Sequence, residues 1–221
     1  GVIMGNMDLA YLGIVLGVIL VSMTLHEAMH AFIGCFLGDD TARVEGRLTL
    51  NPLRHIDPFM TILLPILLAV LGLPIFGGAR PVPFNPQRVR FGEWGAVFVA
   101  LAGPLTNLFL AFLAFGAGVV GGAITSGGLV QNTLVGQIVS LTVLINLGFF
   151  VFNMLPLPPL DGSRLLYALA PESVRRGMEW IEQYGVMVVF IIVMIGQAAI
   201  GRIMTVATNG IIQLFCVIFG V

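Results

Sequence analysis

Long apolar runs separated by short polar breaks define this chain. They occupy about 9–37, 59–77, 94–122, 134–154, 183–200 and 203–221. Each comes close to or exceeds the ~20 residues an α-helix needs to cross the hydrocarbon core. The breaks are equally legible. Gly38-Asp39-Asp40 stops the first run with a glycine and two polar residues. Thr41 to Asn51 is β-branched, charged and partly alternating, which predicts a short strand or hairpin at the membrane surface, closed by Asn51-Pro52. Pro65, Gly72 and Pro74 interrupt the second run, and a loop rich in Pro and Arg follows it. Pro156, Pro158 and Pro159 forbid helix after the fourth run, so the chain there is extended. A charged linker spans Pro171 to Glu182, and Gly201-Arg202 predicts a turn between the last two runs. The expected fold is an all-α polytopic membrane protein. It has about five to six transmembrane helices, a re-entrant segment and a short membrane-surface β-hairpin. One membrane-embedded domain is expected over 1–221, with a core at about 8–165 and C-terminal helices at about 183–221.

Composition strengthens this picture. Hydrophobic residues make up 58% of the chain and charged residues only 10%, against about 25% charged in soluble domains. That excludes a soluble protein and leaves no room for a sizeable extramembrane domain. Every basic residue is Arg and none forms a run suited to nucleic acid, so no nucleic-acid partner is expected. Cys35 and Cys216 lie far apart in apolar stretches, which argues against a disulfide framework. The first run carries the ionisable residues described next, so it is a working span and not a removable signal.

Those residues are His26, Glu27 and His30, in the order His-Glu-x-x-His. Ionisable side chains inside an apolar span are costly and usually functional. Positions i and i+4 share one helix face, so both imidazoles can reach one metal ion, with Glu27 beside them to take a proton from water. A chance histidine pair packed in a bundle is the bland alternative. A catalytic zinc site needs a third protein ligand. Asp161 is the best candidate, delivered by the Pro-rich segment after the fourth span. A turn or helix-cap role for Asp161 is equally consistent with spacing alone, and the unpartnered histidines favour the metal. Pro104 predicts a kink with polar Thr106 and Asn107 close by. Asn107 either satisfies that kink or helps organise the site. His55, the one histidine outside the motif, is solvated, structural or a ligand.

His26-Glu-Ala-Met-His30, followed by Asn153-x-x-Pro156-x-Pro158-x-Leu160-Asp161-Gly162, resembles the site-2 protease family of intramembrane zinc metalloproteases. Gly103-Pro-Leu-Thr-Asn107 is similar to that family too. The stretch from Gly46-Arg-Leu-Thr-Leu-Asn-Pro52 to Asp57-Pro58 resembles its small bacterial and archaeal branch. The resemblance implies one Zn2+ held by His26, His30 and Asp161, Glu27 as general base, and Asn153 as a group that positions substrate or stabilises the oxyanion. It implies cleavage within or near transmembrane helices of membrane-protein substrates. At this length, inserted PDZ or C-terminal CBS domains are not expected. A zinc-binding transporter or scaffold, or a zinc hydrolase of a non-peptide substrate, is the alternative.

His26 and Asp161 must meet at one depth, so the first and fourth spans should run in the same direction, and 59–77 should fold back on itself. Nine arginines (43, 47, 54, 80, 88, 90, 164, 175 and 176) then fall on one side and Arg202 on the other. The positive-inside rule makes the nine-arginine side cytoplasmic. The expected location is the cell membrane, in contact with lipid, with the active site nearer the cytoplasm. The surface strand around Arg43 to Leu50 would offer an edge to an extended substrate.

Overall fold

The computed structural model describes residues 9–58, 80–125, 128–129 and 133–221, together with positions 63 and 67. The run expected to be re-entrant, 59–77, otherwise lies outside the described residues. Among the described residues, seven α-helices follow in chain order: α1 Leu9–Phe36, α2 Thr41–Val44, α3 Gly92–Val120, α4 Leu134–Asn153, α5 Ser163–Leu169, α6 Glu172–Glu182 and α7 Gly185–Phe219. Among the described residues, four are long and apolar enough to cross a membrane: most of α1, all of α3 and α4, and Met194–Phe219 of α7. The all-α polytopic expectation holds.

Lipid tails are as apolar as leucine, so close packing and interhelical hydrogen bonds, not water exclusion, hold spans together. Ala111 and Phe115 of α3, Val143 and Leu147 of α4 and Phe215 of α7 form one buried cluster. Val15, Ile19 and Met23 of α1 pack against Leu141, Ile145 and Phe149 of α4 in another. Outward faces carry Val21, Leu105, Phe109, Leu113 and Val217, all exposed, as lipid contact requires.

Interhelical bonds fix the chain directions. His26 reaches Asn107 while His30, further along α1, reaches Val99, so α1 and α3 are antiparallel. Ser22 bonds Asn146, and His26 and His30 meet Asp161 beyond the end of α4, so α1 and α4 are parallel. The Arg90 amide donates to the Leu37 carbonyl at 2.9 Å. The chain between α1 and α3 therefore starts and finishes at the same end of α1, as the sequence required.

Two expectations are corrected. The segment from Thr41 to Asn51 is not a strand. Asp39 Oδ1 accepts from the Thr41 amide (3.1 Å) and hydroxyl (2.5 Å), which starts the helical turn α2. Arg47 then turns inward and donates to the carbonyls of Arg54, Arg80 and Pro81, which coils the segment and leaves no strand edge for a substrate. The one short ladder among the described residues lies elsewhere, between α3 and α4. There β1 (Ile124–Thr125) pairs antiparallel with β2 (Gly128–Leu129). Nor does the chain turn at Gly201-Arg202. Both residues lie inside α7, and Thr205 Oγ1 bonds the Gly201 carbonyl at 2.8 Å. One interior glycine costs only ~1 kcal/mol and removes no backbone donor, so a long apolar helix absorbs it.

Asp39 ties the end of α1 to the loop before α3, because its Oδ2 accepts the Asn85 amide at 2.7 Å. Burial alone would raise the Asp39 carboxyl. The Thr41 hydroxyl, the Asn85 and Thr41 amides and the Arg88 charge outweigh it and hold the group below the usual carboxylate range. A lowered native value contributes stability that is present above the unfolded value and lost as pH falls through the native one. Wild-type melting temperature should therefore drop steeply below about pH 4. Asp39→Asn should melt lower than wild type at neutral pH and lose that acid-dependent component; parallel wild-type and variant curves would contradict this role.

Candidate metal centre

Helix α1 places His26 and His30 one turn apart on the face that meets α3. Their rings stand edge to face, with centroids 4.7 Å apart, and their Nε2 atoms approach to 3.1 Å. Asp161 Oδ2 lies 3.2 Å from His26 Nε2 and 3.5 Å from His30 Nε2. His26 and Glu27 are buried, whereas the Asp161 side chain keeps 23% of its surface exposed, so the site opens at Asp161. The Pro-rich segment carries Asp161 back from the end of α4. The Gly162 amide donates to the Asn153 carbonyl at 2.6 Å, and a Cβ at Gly162 would lie 2.4 Å from the Met154 carbonyl oxygen. Only glycine permits that closure.

The opposite edge of each ring is tied down. His30 Nδ1 lies 2.7 Å from the Val99 carbonyl, which only accepts, so Nδ1 carries the proton. For His26 the proton is fixed by a longer chain. Asn146 Nδ2 donates to the Thr142 carbonyl (2.8 Å) and to Ser22 Oγ (2.9 Å). Asn146 Oδ1 therefore accepts from Asn107 Nδ2 (2.9 Å), and Asn107 Oδ1 accepts from His26 Nδ1 (2.6 Å). When both rings are neutral, they present two Nε2 lone pairs to each other, next to a carboxylate. Lone pairs cannot hydrogen-bond one another; a cation between them satisfies all three groups.

The donor set fits a metal. His26, His30 and Asp161 each offer one ligand atom, and these lie within 4.8 Å of one another. Two imidazole nitrogens and a carboxylate oxygen suit zinc with a fourth position left open. The space is kept by Gly103 of α3, where a Cβ would sit 2.3 Å from His30 Nε2 and 2.6 Å from His26 Nε2. Glu27 Oε2 accepts the Val82 amide at 3.0 Å.

Other sequence candidates separate clearly. Asn107 is fully buried and bonds His26 directly. His55 stands outside the cluster; its ring bonds the Thr49 carbonyl at 2.8 Å, and its own carbonyl accepts the Arg80 amide. Asn153 directs Nδ2 to the Phe149 carbonyl of its own helix at 3.0 Å. Sequence reasoning missed Ser22, Asn146 and Val82, and noted Gly103 as part of a family-like segment without giving it a role. Ser22 and Asn146 carried a usable signal, as polar residues deep within apolar spans. The Val82 amide carried none without the fold.

Partners that orient a metal-binding imidazole typically control affinity by 10- to 100-fold. Asn107→Leu should weaken metal binding by about that factor while the protein stays folded. Gly103→Ala should abolish metal binding because its methyl fills the centre. Wild-type metal content in Gly103→Ala, measured by mass spectrometry of the purified protein, would contradict this geometry.

The family model of Peptidase family M50 matches residues 117–196. The chain is 40% identical over 204 residues to a Bacillus subtilis protein named "Putative zinc metalloprotease YwhC", covering 91% of this chain and 90% of that protein. It is 31% identical over 197 residues to Rip2 of Mycolicibacterium smegmatis, named in the same way, covering 83% of this chain and 69% of that protein. No solved structure matches. The multi-pass helices, the converging His-His-Asp group and an extensive likeness to YwhC agree, and the chain belongs to peptidase family M50, the site-2 protease family.

Proposed function

We propose that this protein is an intramembrane endopeptidase that binds one zinc ion through His26, His30 and Asp161 and cleaves peptide bonds within or near transmembrane helices. The observation that carries this reading is the approach of two Nε2 atoms and one carboxylate oxygen from α1 and the loop after α4, with both Nδ1 atoms engaged behind them. The names of the relatives favour zinc among the metals this donor set would accept.

When bound, zinc supplies Lewis acidity to the scissile carbonyl and to the hydrolytic water. Glu27 takes the proton of that water and returns it to the leaving amine. Asn153 keeps a second N–H beyond its bond to Phe149 and donates it to the charge that develops on the carbonyl oxygen. A peptide bond inside a helix is shielded by its own hydrogen bonds, so the substrate unwinds locally before it reaches the centre. Water enters on the exposed side of Asp161. The nine arginines support a cytoplasmic location for this end of the bundle.

The test is cleavage of a labelled transmembrane peptide by the purified, lipid-reconstituted protein, alongside its zinc content. One zinc per chain is expected, with cleavage lost on chelation and restored by zinc. Glu27→Gln should keep zinc and lose at least ~100-fold in kcat. Full activity of Glu27→Gln would remove the base, and full zinc occupancy of Asp161→Ala would remove that ligand.

A further inference from the structure

Beside Glu27 the chain runs Arg80-Pro81-Val82-Pro83. Neither proline has an N–H, so Val82 supplies the one main-chain donor among those last three residues. A residue before proline is driven into extended conformation, which applies to both Arg80 and Val82. The outcome is a single amide presented to one oxygen of Glu27, at 3.0 Å and across 55 positions of sequence.

Extended chain with no strand partner among the described residues needs an external clamp. One anchor is the Arg80 amide on the His55 carbonyl at 2.9 Å. Asp39 holds the Asn85 amide three residues beyond Val82, and the anchors just before Val82 come from Arg47. It is only 6% exposed. Its Nη2 donates to the carbonyls of Arg80 (2.5 Å) and Pro81 (3.3 Å), and its Nη1 donates to that of Arg54. A guanidinium withdrawn from water and given to three carbonyls is costly, and Lys could not reproduce its planar fork. The two carbonyls it grips immediately precede Val82.

We infer that Arg47 is a positioning residue for the hydrolysis: by clamping the Arg80 and Pro81 carbonyls it fixes the Val82 amide that holds Oε2 of Glu27, leaving Oε1 for the hydrolytic water. This rests on the reading of Glu27 as general base. Without the clamp, Glu27 rotates away from its working position, and displacements of about 1 Å in such sites cost roughly 100-fold in rate.

The experiment uses full-length protein, both zinc-loaded and chelator-stripped. In stripped protein labelled with 15N-valine, Val82 amide exchange should be at least about tenfold faster in Arg47→Ala than in wild type. In loaded protein, Arg47→Ala should keep its zinc and a KM within about twofold of wild type, while kcat falls about 10- to 100-fold. Methylguanidinium should recover much of that kcat in Arg47→Ala and none in Glu27→Gln. Val82→Pro, which deletes the N–H and leaves Arg47 intact, should lose a similar factor without rescue; it carries the test alone if Arg47→Ala does not fold. Wild-type kcat in either variant, zinc loss in step with activity, or unchanged Val82 exchange would overturn the inference. If wild type itself cleaves no transmembrane peptide, the proposed function fails, and the exchange rates still decide whether Arg47 holds the Val82 amide.

Discussion

Two imidazoles in an apolar span cannot be left free to turn. Each loses hydration when its helix enters the hydrocarbon, and each must recover hydrogen bonds from protein. His30 recovers one from the Val99 carbonyl and His26 one from Asn107. These two bonds set the spacing and the antiparallel sense of α1 and α3. The Asn107–Asn146–Ser22 connection then binds α4 into the same arrangement. Interhelical bonds of this kind average only ~0.6 kcal/mol each in membranes. The network's larger effect is therefore on direction: it fixes which nitrogen of each ring faces the centre.

Small side chains matter at that centre as much as polar ones. Gly103 lets α3 approach until its backbone lies against both Nε2 atoms, so the space beside them is a consequence of helix packing. Gly162 does the same for the loop that returns Asp161. Outside the spans, rigidity has another source. Asp39 joins the Thr41 and Asn85 amides, Arg47 joins the Arg54, Arg80 and Pro81 carbonyls, and residues 80–85 are held against the end of α1 between them. The spans thus orient His26, His30 and Asp161, and the loop cage orients Glu27.

The fold class was legible because composition and run length leave few alternatives for an apolar chain. His26, Glu27 and His30 were legible because ionisable groups stand out against Leu, Val and Ile. Asp161 was ambiguous by spacing, and the two histidines that lacked a third ligand tipped the balance. Asn146 and Ser22 were missed since a single Asn or Ser in a span is common, and their importance lies in whom they touch. The expected strand after Asp40 failed for a physical reason. Alternation describes which faces a strand would present, but Asp39 holds the Thr41 amide and hydroxyl at the start of a helical turn and Arg47 draws the segment inward. The expected turn at Gly201-Arg202 failed because local signals there are weak against a long apolar helix.

The central claim is that position 161 supplies a ligand to a metal already held by His26 and His30. Zinc K-edge X-ray absorption on Asp161→Cys compared with wild type tests it directly. The wild-type first shell should contain only nitrogen and oxygen at about 2.0–2.2 Å, with the scattering of two imidazoles, and the variant should gain one sulfur at about 2.3 Å. A sulfur shell in the wild-type protein, or a variant that binds zinc without acquiring one, would contradict the account.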